Sequence, residues 1–134
     1  MSTDPMSVAD AKAAAFVAEH RLRKQPLPEL PSEFRPRELV DGYRVQTLAN
    51  KRLTAAGFGA AAGHKVGATN PVVQQALQVP HAVAGVVFAN TVHHNHARLN
   101  YTDYVRPGVE CEVVALIGSD LPPRAASYTR LEVA

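Results

Sequence analysis

The chain of 134 residues has no tryptophan, one cysteine, Cys111, and only four phenylalanines and four tyrosines. A single thiol excludes an internal disulfide framework, and a reducing cytoplasm is the simplest setting for such a sequence. Charge of one sign is scarce as well: fourteen Lys and Arg stand against twelve Asp and Glu, scattered along the chain, for a formal net charge of +2. That balance argues against a surface built to hold phosphate backbones, so nucleic acid is not an expected partner. The longest nearly apolar stretches, around Ala11–Ala18 and Val113–Gly118, fall far short of the roughly 20 residues that cross a bilayer. No membrane partner is expected. The opening MSTDPMSVADAK sets acids ahead of a modest apolar helix and does not read as a secretory signal. With 46% apolar and 19% charged residues, what remains reads as about one soluble globular domain.

Ser7 followed three residues later by Asp10 opens an alanine-rich stretch to about Arg23, with Val8, Ala11, Ala15, Ala18 and Leu22 at helical spacing. Prolines 26, 28, 31 and 36 then remove backbone donors and predict an extended connecting arm. From Arg37 to about Ala56, Leu39, Val40, Tyr43, Leu48 and Leu53 recur among polar residues, and Gly57 supplies a C-terminal stop, which predicts a second helix with Leu39, Tyr43 and Leu53 in the core. Beyond it the composition turns to Gly, Val and Ala, and strand-like runs appear at Gly63–Thr69, Val83–Ala89, Val92–Leu99 and Val109–Gly118. Asn70-Pro71 reads as an N-cap followed by proline at the first position of a short helix, Val72–Leu77. The fold class is therefore α+β, with a helical segment at 1–58 and a β-rich segment at 59–134.

Two constellations can carry chemistry. If Val109–Gly118 is a strand, alternation puts Glu110 and Glu112 on one face and Val109, Cys111 and Val113 on the other. Two strand steps separate the acids by roughly 7 Å, close enough to converge on one hard cation such as Mg²⁺ or Mn²⁺. On spacing alone the pair fits the solvated face of a half-buried strand better, since two acids two residues apart are a weak pattern. In Gly63-His64-Lys65-Val66-Gly67-Ala68-Thr69-Asn70, a strand would set Lys65 between two glycines, leaving its ammonium on a shelf without flanking side chains. The helix start at Asn70 offers free N–H groups to a carboxylate, so a keto acid fits both features. Glycines that merely permit close backbone packing beside an ordinary surface lysine would give the same pattern. His93, His94 and His96 lack a completing ligand and read as an exposed hairpin or edge strand, and Cys111 reads as a small buried apolar residue.

In order and spacing, Asp41–Gln46, GHKVGATNPVVQ at 63–74, Gly85–Phe88 and RPGVECEVVALIGSDL at 106–121 resemble the 2-keto-4-pentenoate hydratase branch of the fumarylacetoacetate hydrolase superfamily, over roughly residues 26–134. The resemblance implies N-terminal helices followed by the first part of a mixed β-roll. It implies metal-ligand roles for Glu110 and Glu112, a catalytic or orienting role for Lys65, and substrate contacts at Gly63, Gly67, Thr69 and Asn70. The implied activity is that of a hydro-lyase in aromatic catabolism, adding water to a 2-keto-4-alkenoate through a metal-stabilised enolate. A 2-keto dioate decarboxylase of the 4-oxalocrotonate type is the alternative, and a non-catalytic remnant is another. The family's usual aspartate after the short helix is absent from Leu77–Ala82. Family chains run about twice this length, with a third acidic ligand farther on. The chain thus reads as a truncated N-terminal half that is inactive alone and associates as a homo-oligomer or with a complementing C-terminal half.

Overall fold

A computed structural model of the chain describes residues 7–133. The acidic opening residues 1–6, on which the leader-sequence reading partly rests, lie outside them. Helix α1 spans Val8–Leu22 and starts as the Ser7–Asp10 spacing predicts. The Ser7 hydroxyl accepts from the Asp10 N–H at 3.0 Å while the Asp10 carboxylate accepts from the Ser7 N–H at 3.4 Å, so two donors that the helix cannot use are satisfied reciprocally. The buried face differs from the predicted stripe. Asp10, Ala13, Ala14 and Ala18 turn inward, whereas Val8 is 74% exposed. Alanine surrounds this helix on nearly every side, so its pattern leaves the rotation about the helix axis to be set by what packs against it.

What packs there is α2, Leu39–Leu53, through Val45, Ala49 and Leu53. Leu39 and Val40 remain largely in solvent, which removes Leu39 from the predicted core. After Leu53 one wide π-type turn, Thr54–Phe58, carries the chain to Gly57, whose φ of +98° lies in the left-handed region and stops the helix. The proline-rich arm folds back over this pair of helices. Leu30 and Phe34 pack on the core, Phe34 meets Phe16 edge-on at 5.8 Å, and the Arg35 guanidinium donates twice to the Leu30 carbonyl.

The β-rich segment forms one antiparallel pair, β1 at Ala61–Gly67 and β2 at Val83–Phe88, joined through helix α3 at Pro71–Leu77. Asn70 caps α3, its side-chain oxygen accepting from the Val73 N–H at 3.0 Å, and Pro71 occupies the first turn as predicted. Lys65 stands opposite Gly85 and Val66 opposite Ala84, with a bulge between Ala61 and Gly63. Phe88 carries the sheet into the helical core: it is 1% exposed, meets Phe58 at 5.5 Å, and the Arg21 guanidinium of α1 lies 5.2 Å and 5.6 Å from those two rings. The change of secondary structure near residue 58 therefore does not separate two cores.

Two predicted strands are not formed. Residues 92–99 and 109–118 contain neither strand nor helix, and the histidines at 93, 94 and 96 are exposed beside a short 3₁₀ turn at Ala89–Thr91. Their apolar and β-branched content favours pairing, but a strand also needs a neighbour for its main-chain groups, and neither segment lies against one. Cys111, expected to be buried, is exposed for the same reason. Two paired strands neither close nor define a roll. Near the end, Arg124 stacks over Tyr128 and grips Glu132, and a final helical turn, α4, occupies Arg130–Val133. Among the described residues no helix is long and apolar enough to cross a membrane.

Candidate functional site

β1 places Gly63, Lys65 and Gly67 on one face, opposite Val87, Gly85 and Val83, as their alternation predicts. The Lys65 stem lies over Gly85: a Cβ added there would come within 3.4 Å of Lys65 Cγ. A Cβ at position 85 would touch the lysine stem. A Cβ added at Gly63 would meet nothing within 4 Å, so close packing does not account for that glycine, and one at Gly67 would make only ordinary contact with Val83 at 3.6 Å. The lysine is exposed and makes no ion pair or hydrogen bond among the described residues. Its ammonium therefore stands free on a ledge flanked on both sides by bare backbone.

Directly beyond the ledge, Ala68 holds a φ of +54°, although its Cβ disfavours that region by roughly 1–2 kcal/mol relative to the right-handed one. Its carbonyl accepts from Gln74 Nε2 at 2.9 Å, which fixes the bend between β1 and α3. Thr69 and Asn70 follow and are exposed, with the Asn70 oxygen already committed to capping. Sequence reading did not mark Ala68, because alanine carries no sign of a left-handed conformation.

The other face of the sheet looks toward α2. There a cleft of about 540 Å³ lies between the two, lined by Tyr43, Gln46 and Asn50 from the helix and His64, Val86 and Phe88 from the sheet. Gln46 Nε2 donates to the Ala84 carbonyl at 3.0 Å, and the Tyr43 hydroxyl accepts from the Ala84 N–H at 3.1 Å. Alternation keeps Lys65 out of this cleft, although its cross-strand partner Gly85 borders it, so the lysine ledge lies on the opposite face from the cleft.

Glu110 and Glu112 are exposed on the irregular segment, and the structure does not bring them to Lys65 through any shared element. Among the described residues no group of three or more His, Cys, Asp or Glu side chains is placed to hold a metal ion. Of the predicted site, then, Gly63, Lys65, Gly67, Thr69 and Asn70 form one continuous strip, and the two glutamates stand apart.

No family model matches the chain, and no solved structure matches it. It is similar to two curated proteins. One is a 2-keto-4-pentenoate hydratase of Paraburkholderia phymatum, 26% identical over 118 residues that make up 88% of this chain and 45% of that protein. The other is a TodF product hydratase of Pseudomonas putida, 31% identical over 84 residues, 63% of this chain and 31% of the other. The chain spans less than half the length of these relatives, and what both share with it is a likeness to hydratases.

Proposed function

We propose that this chain supplies the lysine-bearing part of a hydratase-type lyase of the fumarylacetoacetate hydrolase superfamily, acting in the cytoplasm on a 2-keto-4-alkenoate of the 2-keto-4-pentenoate kind. The observation that carries this reading is the free Lys65 ammonium on its glycine ledge, and the likeness to two hydratases supports the reaction class. A flat 2-keto acid can lie against Gly63 and Gly67 with its carboxylate or keto oxygen toward Lys65. The fixed positive charge favours the enolate-like form in which negative charge gathers on that oxygen as the distal double bond accepts water. The open backbone strip lets the planar substrate approach without displacing a side chain.

The same reading assigns Mg²⁺ or Mn²⁺ to Glu110 and Glu112. Such an ion takes near-octahedral oxygen coordination. Two exposed carboxylates on an irregular segment, with no third group gathered among the described residues, do not meet that demand.

Titration with 2-oxopentanoate, a saturated 2-keto acid that cannot be hydrated, is followed by the amide resonances of residues 63–70. Lys65→Met is expected to weaken binding by about tenfold, the worth of one charge-assisted hydrogen bond at an exposed site. Gly63→Val, for which the fold has room, is expected to block the ledge while leaving the unfolding midpoint unchanged. Equal binding by wild type and Lys65→Met would refute the assignment.

A further inference from the structure

The two-stranded sheet has one covered and one open side. α2 flanks the outer side of β2, where Tyr43 and Gln46 take the Ala84 main chain. Among the described residues β1 pairs with β2 alone, so its outer row of N–H and C=O groups has no strand beside it. Such an edge is a template for another strand. The same molecule offers an irregular segment of strand-like composition without a neighbour. In the arm at 109–117, Val109 is 98% exposed, Val113 99% and Leu116 96%, a set of apolar side chains left in solvent. The chain entering the arm is tied to the C-terminal end of α1 by the Lys24–Asp103 ion pair, and from there the arm stands clear of its own sheet.

We infer that the open edge of β1 receives the 109–117 arm of a second copy of this chain. Side-chain alternation fixes which parity of register satisfies both faces. With Glu110 and Glu112 on the Lys65 face, the unpaired ammonium gains two carboxylates, and Val109, Cys111 and Val113 fall beside His64 and Val66. Val66, 58% exposed in the single chain, is then covered by apolar neighbours. A one-residue slip would set the glutamates against Val66 and the valines against Lys65, losing both matches. Reciprocal exchange engages nine arm residues and the seven of β1 from each copy, just below the roughly 20–30 residues a side of standard interfaces, so the dimer dissociates on dilution. The inference does not depend on catalysis, since it rests on edge, alternation and charge alone.

Sedimentation velocity over a concentration series tests the association, and disulfide trapping tests its geometry. The wild-type chain is expected to form a dimer that dissociates on dilution. Val113→Asp, at a position in full solvent in the single chain, should fold normally and weaken the dimer by at least about tenfold, because it buries a charge among apolar groups. For trapping, wild type carrying its native Cys111 is mixed with a chain bearing Val66→Cys and Cys111→Ser, or with one bearing Lys65→Cys and Cys111→Ser. Oxidation should link Cys111 to the first partner several-fold more than to the second, in a species of dimer mass. A monomer at all concentrations, a dimer indifferent to Val113→Asp, or equal trapping by the two partners would overturn the inference. So would an intrachain disulfide in a Val66→Cys monomer that retains Cys111. Ligand binding at Lys65 can fail while this trapping pattern appears, and the reverse, so the two proposals fall separately.

Discussion

Replacing Arg44 by methionine probes the charge network that joins the two long helices. Arg44 Nη1 lies 3.1 Å from the Asp10 carboxylate of α1 and 3.1 Å from Asp41 on its own helix. The Asp10 side chain is only 10% exposed and that of Arg44 26%. Breaking a fully buried pair costs about 3–5 kcal/mol because the surviving charge is left desolvated. Partial exposure of the guanidinium roughly halves that figure, so a loss of about 2 kcal/mol is expected in urea unfolding at pH 7. The pH dependence makes the prediction sharper. Burial pushes the Asp10 carboxyl up, but the Arg44 hydrogen bond, the two Ser7 hydrogen bonds and the Arg44 charge together outweigh it and leave the group below its ordinary 3.8. A depressed carboxyl stabilises the fold above the unfolded value and loses that contribution as pH falls through the folded one. The difference between wild type and Arg44→Met should therefore be full at pH 7 and shrink below about pH 4, once Asp10 is protonated in both. Because Arg44 has further interactions, a double-mutant cycle with Asp10→Asn isolates this pair, with a coupling of about 1–2 kcal/mol at pH 7. A pH-independent difference, or no coupling, would refute the assigned role of Arg44.

Phe88→Ala should destabilise the chain by about 3–4 kcal/mol in the same unfolding experiment, since it empties the place where sheet, π-type turn and Arg21 meet. Gln78→Gly should stabilise by about 0.5–1 kcal/mol, because the exposed Gln78 caps α3 at a φ of +56°, where glycine is unstrained. Glu132 is held down to about 2 by the Arg124 guanidinium and by the Thr129 N–H and hydroxyl. The turn it closes should persist above the ordinary carboxylate range and be lost as pH falls through about 2, read from the Thr129 amide shift, which should move to its acid position at neutral pH in Glu132→Gln.

How far the fold could be read from sequence depended on whether the determinant was local. Ser7 and Asp10, Asn70 and Pro71, and Gly57 each fix a helix end within a turn of themselves, and all three ends lie where their chemistry puts them. The rotation of α1 was not legible, because alanines on several faces leave the choice to α2. Nor was the loss of the two later strands. Val109–Gly118 has the composition of a strand, but pairing is a relation between segments, and composition describes only one of them. The bend at Ala68 escaped for a third reason: its left-handed backbone is held by Gln74 from the following helix, while the residue itself prefers another conformation.

The candidate site divides along the same line. Gly63, Lys65 and Gly67 needed only the period of a strand to share a face, and β1 formed because β2 lay within reach beyond α3. Glu110 and Glu112 needed their own segment to be a strand and also needed that strand to be placed beside Lys65, two conditions that a spacing of two residues cannot supply. The separation is informative about the chemistry. A lysine ledge can bind an anion alone, whereas a pair of carboxylates repelling each other in water binds a dication only when a scaffold holds them together against that repulsion. The glutamates therefore gain a role only through whatever pairs with their arm, and the residue in β1 that would face them in matched register is the one cation there without a partner. Substituting Lys65 should then touch two separable properties, anion binding by the single chain and arm docking between chains. Lys65→Arg separates them. It keeps the charge opposite the glutamates, so trapping through Cys111 persists, but it replaces a compact point charge by a planar fork suited to bidentate carboxylate contact, so 2-keto acid affinity changes while trapping does not. Loss of trapping in Lys65→Arg alongside unchanged binding would invert the assignment of the two roles.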